Sequence, residues 1–268
     1  MVKMIFSDMD GTLLDESSKI PAGFDEMMAR LRARGVRFAP ASGRQYFSLL
    51  ESFPAYKDEF YFLAENGTNV VYRGETIYSC PMNRARALEI LDRVYAANPE
   101  IFCVYCGLHD AYVLRSQHVP KYLGELKKYY THSAVVERFE DVEDECIKVS
   151  LFDEHGRSEA SILPLVAQDK KDLKVVLSSD YWVDVMNLAI NKGVAVREIQ
   201  KRLDLAPEEC AAFGDYLNDK EMLESVGYSF AMANAHPDIK KVAKYQTASN
   251  AEHGVLKGIG WMLSEGIC

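Results

Sequence analysis

The chain has 268 residues, of which 48% are apolar and 26% charged, and its formal net charge is −9. It holds no apolar run of about 18 residues that would span a bilayer, and its acidic excess argues against a nucleic-acid partner, because phosphate backbones are bound by clustered Lys and Arg. The opening segment Met1–Asp8 lacks a long apolar stretch and a small-residue cleavage site, so a cytoplasmic protein with scattered, reduced cysteines and no membrane partner is expected.

Taken in order, Lys3–Ser7 reads as a strand, Asp10-Gly11-Thr12 as a turn, Phe24–Arg34 as a helix and Val36–Pro40 as a second strand. The helix opens after Pro21, closes before Gly35, and spaces Phe24, Met27, Met28 and Leu31 along one face. A βαβ unit implies a parallel sheet. Phe60–Ala64 is the next buried strand, and Val70–Tyr72 with Thr76–Tyr78 flanks Arg73-Gly74-Glu75 as a hairpin.

After Pro81 the pattern changes. A helix is predicted over Arg84–Ala97, strands over Phe102–Cys106 and Ala111–Leu114, and a helix over Pro120–Tyr130. Strands Val135–Phe139 and Ile147–Phe152, a helix Glu159–Ala167, and strands Lys174–Leu177 and Trp182–Met186 complete this α+β block. Cys103 and Cys106, with His109 nearby, have the spacing of a redox or metal pair. They stand three apart in a strand-like run, which turns them to opposite faces, and no second pair completes four ligands; a structural role is expected. Tyr105, Tyr112, Tyr181 and Trp182 could line a pocket, but as strand residues they are expected in the core.

The βα alternation then resumes with helix Lys192–Leu203, strand Cys210–Phe213, helix Asn218–Glu224, strand Tyr228–Met232 and a closing helix Val255–Ser264. The expected fold is therefore α/β. Residues 1–82 and 187–268 form a doubly wound, parallel-sheet core, and an α+β domain, residues 83–186, is inserted into it.

Chemistry gathers at predicted strand ends. Asp8 and Asp10 follow the apolar run Met4-Ile5-Phe6, where open α/β sheets bind ligands. Two residues apart, they face the same way, and Gly11 lets the chain turn back over the sheet. An Asp-Gly-Thr turn is commonplace by itself. Ser42 and Gly43, before another helix, offer a hydroxyl and an amide to a phosphoryl oxygen, although Ser42 also suits an ordinary N-cap. Asp215 and Asp219 follow the strand Cys210–Phe213. Asp8, Asp10 and Asp215 would repel one another in a cleft unless a cation or protons offset them, and oxygen-only ligands suit Mg²⁺. Lys192 opens a helix, where the dipole slightly disfavours a cation and the ammonium would more usefully meet an anion, although a solvated surface lysine is the ordinary alternative.

The ordered set Asp8-x-Asp10-Gly11-Thr12, Ser42-Gly43-Arg44, Glu65-Asn66-Gly67, Lys192-Gly193 and Gly214-Asp215-x-x-Asn218-Asp219 resembles the haloacid dehalogenase superfamily of phosphatases, in its Cof-type branch with an α/β cap. The resemblance spans Met4 to the last helix. It implies a magnesium-dependent phosphatase acting on small phosphorylated metabolites, sugar phosphates first. By it, Asp8 is the nucleophile that forms an aspartyl-phosphate, and Asp10 the acid and then the base, which agrees with the logic of carboxylate nucleophiles and of a neighbouring carboxyl that carries a proton. It further implies Mg²⁺ held by Asp8, Asp215 and the Asp10 carbonyl, with Asp219 orienting the outer shell. The phosphoryl group then meets the Met9 amide, Ser42, Gly43, Lys192 and Asn218, and metal and lysine neutralise its charge. The sequence departs from the branch at Tyr216, commonly Asn there, and at His253, commonly Asp.

Other readings stay open at this point. A phosphotransferase or mutase would use the same aspartyl-phosphate on a sugar hydroxyl. A receiver-type signalling module also phosphorylates a strand-end Asp, but a domain of about 100 inserted residues and a second Asp suit turnover. A dinucleotide enzyme is weaker still, since no Gly-x-Gly-x-x-Gly follows the first strand.

Overall fold

The computed structural model describes all 268 residues, Met1 to Cys268. The chain starts with the fully buried strand β1 (Met4–Asp8), a wide turn over Met9–Leu13, helix α1 (Phe24–Arg32), strand β2 (Arg37–Ala41), helix α2 (Tyr46–Ser52) and strand β3 (Tyr61–Ala64). Strands β4 (Asn69–Tyr72) and β5 (Glu75–Ser79) follow as the expected hairpin. In α1 the buried side chains are Phe24, Met27, Met28 and Leu31, the stripe that the periodicity marks.

Next come α3 (Arg84–Ala97), β6 (Phe102–Gly107), β7 (Ala111–Leu114), α4 (Pro120–Tyr129), β8 (Ser133–Val136), β9 (Cys146–Phe152), two short helical turns α5 (Ser158–Ser161) and α6 (Leu163–Val166), β10 (Leu173–Leu177) and β11 (Trp182–Asn187). Two expectations change here. The single helix over Glu159–Ala167 is broken at Ile162, because Pro164 has no amide hydrogen for the Ala160 carbonyl and its ring crowds that carbonyl. The strand expected over Val135–Phe139 is shifted to Ser133–Val136, and Phe139–Asp141 is a 3₁₀ turn that buries Phe139.

The chain ends with α7 (Lys192–Leu203), β12 (Cys210–Gly214), α8 (Lys220–Glu224), β13 (Tyr228–Ala231), α9 (Pro237–Val242), β14 (Tyr245–Gln246) and α10 (Gly254–Ser264). Two compact units result: Met1–Tyr78 with Asn191–Cys268, and Ser79–Ile190. The first holds an eight-stranded sheet in the order β14-β13-β12-β1-β2-β3-β4-β5, parallel from β14 to β3, with β4 antiparallel to β3. Its fold is the doubly wound α/β type. From β1 the chain winds outward through β2 and β3, then returns on the other side of β1 through β12 and β13. The carboxyl ends of β1 and β12 therefore flank the switch point, where such sheets leave a crevice for ligands.

The second unit carries a six-stranded sheet, β10-β11-β9-β6-β7-β8, antiparallel except between β7 and β8. Helix α3 covers one face, packing Ile90, Leu91 and Val94 over Cys103, Tyr105, Val149 and Val183. Helix α4 covers the other, packing Tyr122 and Leu126 over Phe102, Val104 and Cys106. Cys103 and Cys106 thus lie on opposite faces, and none of the six cysteines is in a disulfide. Of the four aromatics, Tyr105 and Trp182 are in the core and Tyr112 is half-buried. Tyr181 is exposed, because it sits at the turn before β11 rather than in the strand.

Candidate active site

Strands β1 and β12 pair in register from Met4 against Cys210 to Ser7 against Phe213. Asp8, one residue past Ser7, and Asp215, two residues past Phe213, are thereby brought to one place. Beyond Asp8 the chain makes a wide turn closed by the Leu14 amide on the Met9 carbonyl, 2.9 Å. Gly11 takes φ +82° in that turn, and a Cβ on it would lie 2.5 Å from Asp215 Oδ2, so glycine is required twice over. Thr12 Oγ1 donates to Asp215 Oδ1 at 2.6 Å.

One carboxylate oxygen from each of Asp8, Asp215 and Asp219 lies within 4.8 Å of the others. Lys192 is wholly buried among them and donates to Asp8 Oδ1 at 2.5 Å and to Asp219 Oδ1 at 2.6 Å. The cap of α7 sets its position: Asn191 accepts from the Val194 amide at 2.9 Å, which leaves Lys192 as the first helical residue. Asp219 Oδ2 accepts the amides of Asp215 and Tyr216 at 3.0 and 3.2 Å, folding the loop after β12 around its carboxylate.

Three carboxylates against one ammonium leave two formal negative charges in a buried place. Burial, reinforced by the Asp219 carboxylate and opposed by Lys192, pushes the Asp8 carboxyl up to about 8. Burial likewise raises Asp215, against the Thr12 hydrogen bond. Burial works to lower the Lys192 ammonium, but Asp219 and Asp8 overcome it and hold it above its ordinary value. A hard divalent cation with oxygen ligands fits this donor set and its charge.

The remaining residues singled out in the sequence are distributed around this cluster. Ser42, buried at the end of β2, accepts the Arg44 amide at 3.1 Å. Gly43 lies against the side chain of Asn66, which accepts from Asn218 Nδ2 at 3.0 Å. Met9 is buried at the mouth of the wide turn. His253 is a left-handed loop residue ahead of α10. Asp10 is the exception to the expected convergence. Its side chain is half-exposed and turned to Arg44, which donates from Nε at 3.0 Å and from Nη2, so Asp219 rather than Asp10 is the third carboxyl beside Asp8 and Asp215. The equal facing of residues two apart holds only for extended backbone, and here the chain leaves the strand at Asp8 and reverses at Gly11.

Four contributors carry no assigned role in the sequence reading: Thr12, Arg44, Asn66 and Asn234, whose Nδ2 donates to the Gly11 carbonyl at 2.8 Å. The signal for Asn66 was present in Glu65-Asn66-Gly67, three successive left-handed residues with φ of 50°, 55° and 93°. Such backbone clusters at functional sites. No local pattern marks Asn234.

A family model described as haloacid dehalogenase-like hydrolase matches residues 5–259. The 5-amino-6-(5-phospho-D-ribitylamino)uracil phosphatase YbjI of Escherichia coli is 31% identical, over 98% of this chain and 96% of its own. Phosphatase YwpJ of Bacillus subtilis is 26% identical, over 95% and 97%. Among solved structures, SMU.1108c from Streptococcus mutans superposes with a TM-score of 0.82 at 28% identity, covering 98% of this chain and 100% of that one. TM0651 from Thermotoga maritima gives 0.86 at 25% identity, covering 97% of each.

Proposed function

This chain belongs to the haloacid dehalogenase-like hydrolase family and is a phosphatase, and from that premise we propose that it cleaves small phosphomonoesters in two displacements on Asp8, with Mg²⁺ as cofactor. The observation that carries the proposal is the cluster of Asp8, Asp215 and Asp219 around Lys192 at the switch point of a parallel sheet.

In the first displacement a carboxylate oxygen of Asp8 attacks phosphorus, the bond from phosphorus to the leaving oxygen breaks, and that oxygen takes the proton of Asp10 as it departs. In the second, Asp10 removes a proton from water, whose oxygen attacks the phosphorus of the aspartyl-phosphate; inorganic phosphate leaves and the Asp8 carboxylate is restored. For this the Asp10 side chain turns from Arg44 toward the leaving oxygen. The Met9 and Gly43 amides, the Ser42 hydroxyl, Lys192 and Asn218 hold the phosphoryl oxygens.

Asp8, Asp215 and the Asp10 carbonyl would hold Mg²⁺, while Asp219, whose oxygens already serve Lys192 and two amides, orients the loop. When bound, the ion neutralises charge on the phosphoryl group, the main demand of this chemistry. The unit Ser79–Ile190 is proposed to select the leaving group. Sugar phosphates are the first class to test. The relative YbjI, named for a phosphorylated ribitylaminouracil, supports a phosphorylated sugar chain within the substrate.

The test is phosphate release from a panel of sugar phosphates, nucleotides, pyridoxal phosphate and p-nitrophenyl phosphate, with Mg²⁺ or EDTA. Free phosphate in amounts equal to the dephosphorylated product is expected, and only with Mg²⁺. An isomerised sugar phosphate without free phosphate would make the protein a mutase instead.

A further inference from the structure

Two large apolar side chains stand in solvent directly beside the carboxylate cluster. Tyr216 is 59% exposed and Leu217 is 46% exposed, and they follow Asp215 immediately. Their backbone is not loose. The Tyr216 amide donates to Asp219 Oδ2 at 3.2 Å and the Asp219 amide to the Tyr216 carbonyl at 2.9 Å, so the Cα of Tyr216 is fixed relative to the carboxylates.

A second anchored ring stands behind it. His236 packs edge-to-face with Tyr216, centroids 5.9 Å apart at 83°. The His236 amide donates to the Asp215 carbonyl at 2.8 Å, and its Nδ1 accepts the Asp238 amide at 3.2 Å, at the start of α9. The two aromatic rings are thus tied to the two sides of one peptide, that of Asp215. Leaving a tyrosine and a leucine in water contributes nothing to the core, since only area removed from water stabilises the fold. An exposed aromatic ring on an anchored backbone, with a second ring against it, is suited to stack on a flat partner.

We propose that Tyr216, backed by His236, is a stacking platform that selects phosphomonoesters whose leaving group carries a planar unsaturated ring. This rests on the phosphatase reading of the same site and deepens it from phosphomonoesters in general to ring-bearing ones. Tyr216 is a specificity-determining residue and takes no part in proton or phosphoryl transfer.

The experiment compares 5-amino-6-(5-phospho-D-ribitylamino)uracil with ribitol 5-phosphate, which share the phosphoribityl arm and differ in the ring. The quantity read is the ratio of their kcat/KM values under Mg²⁺, for the full chain and for Tyr216→Phe, Tyr216→Leu and Tyr216→Asn. The expected result is a wild-type ratio well above one, retained in Tyr216→Phe and reduced about tenfold in both Tyr216→Leu and Tyr216→Asn, with the change in KM rather than kcat. Agreement of the leucine and asparagine variants guards against a folding defect peculiar to either. A wild-type ratio near one, or a ratio that the variants leave unchanged, overturns the platform while the phosphatase reading stands. Failure of the wild type to release phosphate from either compound and from p-nitrophenyl phosphate overturns both.

Discussion

Asp219 shows how a buried carboxylate can organise a site: one oxygen takes Lys192, the other takes two backbone amides, and its capacity is spent on the protein. Asp8 and Asp215 are left to share the negative charge that Lys192 does not offset. Because the Asp8 carboxyl is raised to about 8 in the fold, its contribution to stability is fully present below the ordinary carboxyl value near 3.8 and is lost as pH rises through about 8. Metal-free protein should therefore melt at a lower temperature at pH 9 than at pH 6, and Mg²⁺ should narrow the gap; a thermal-shift series in EDTA and in Mg²⁺ measures both. Asp215→Asn removes one charge while still able to accept from Thr12. It should melt about 2 °C or more above wild type in EDTA at pH 8, yet gain nothing from Mg²⁺. An equal Mg²⁺ gain in both proteins would remove Asp215 from the metal site. Asp10→Asn, which takes away the proposed acid and base, should lower kcat by about 10²–10⁴-fold with little change in unfolding temperature.

At the scale of elements, placement of the cluster depends on how β1, β12 and α7 end. Asn191→Ala removes the side-chain cap that starts α7 at Lys192 and should cost about 1 kcal/mol of stability in urea unfolding, with a fall in kcat because the lysine is no longer held. Gly11→Ala forces a side chain into a left-handed position and against Asp215, costing roughly 1–3 kcal/mol; calorimetry should show Mg²⁺ binding lost with it. The elements that matter most for the site were legible in the sequence. Fully buried parallel strands read as continuous apolar runs, so Met4-Ile5-Phe6 and Cys210–Phe213 announce themselves, and the acids just beyond them follow. The aim of Asp10 was not legible, because it depends on the reversal at Gly11 and on Arg44, 34 residues away. Nor were α9 and β14, which at six and two residues are too short to show a period. The break between α5 and α6 comes from Pro164, visible in the sequence but masked by apolar spacing that suits one helix.

At the scale of the molecule, one unit carries the carboxylates and the other, Ser79–Ile190, has a sheet and cores of its own. No helix is long and apolar enough to cross a membrane. Ligation of Mg²⁺ should protect the first unit selectively. Hydrogen exchange is expected to slow around the ends of β1 and β12 and the start of α7, and to be unchanged in β6 and β9, where equal protection would argue against a local site. The central claim is that phosphate passes through Asp8, and it is tested most directly by acid-quenching the Asp10→Asn protein during turnover with Mg²⁺ and p-nitrophenyl phosphate, whose phenolate leaves without a proton from Asp10 so that only hydrolysis of the intermediate is slowed, followed by peptide mass spectrometry. One phosphoryl group on the peptide that contains Asp8, absent when Asp8→Asn is added, is the predicted result. Phosphate release by Asp8→Asn at the wild-type rate, or the label on another residue, would contradict it.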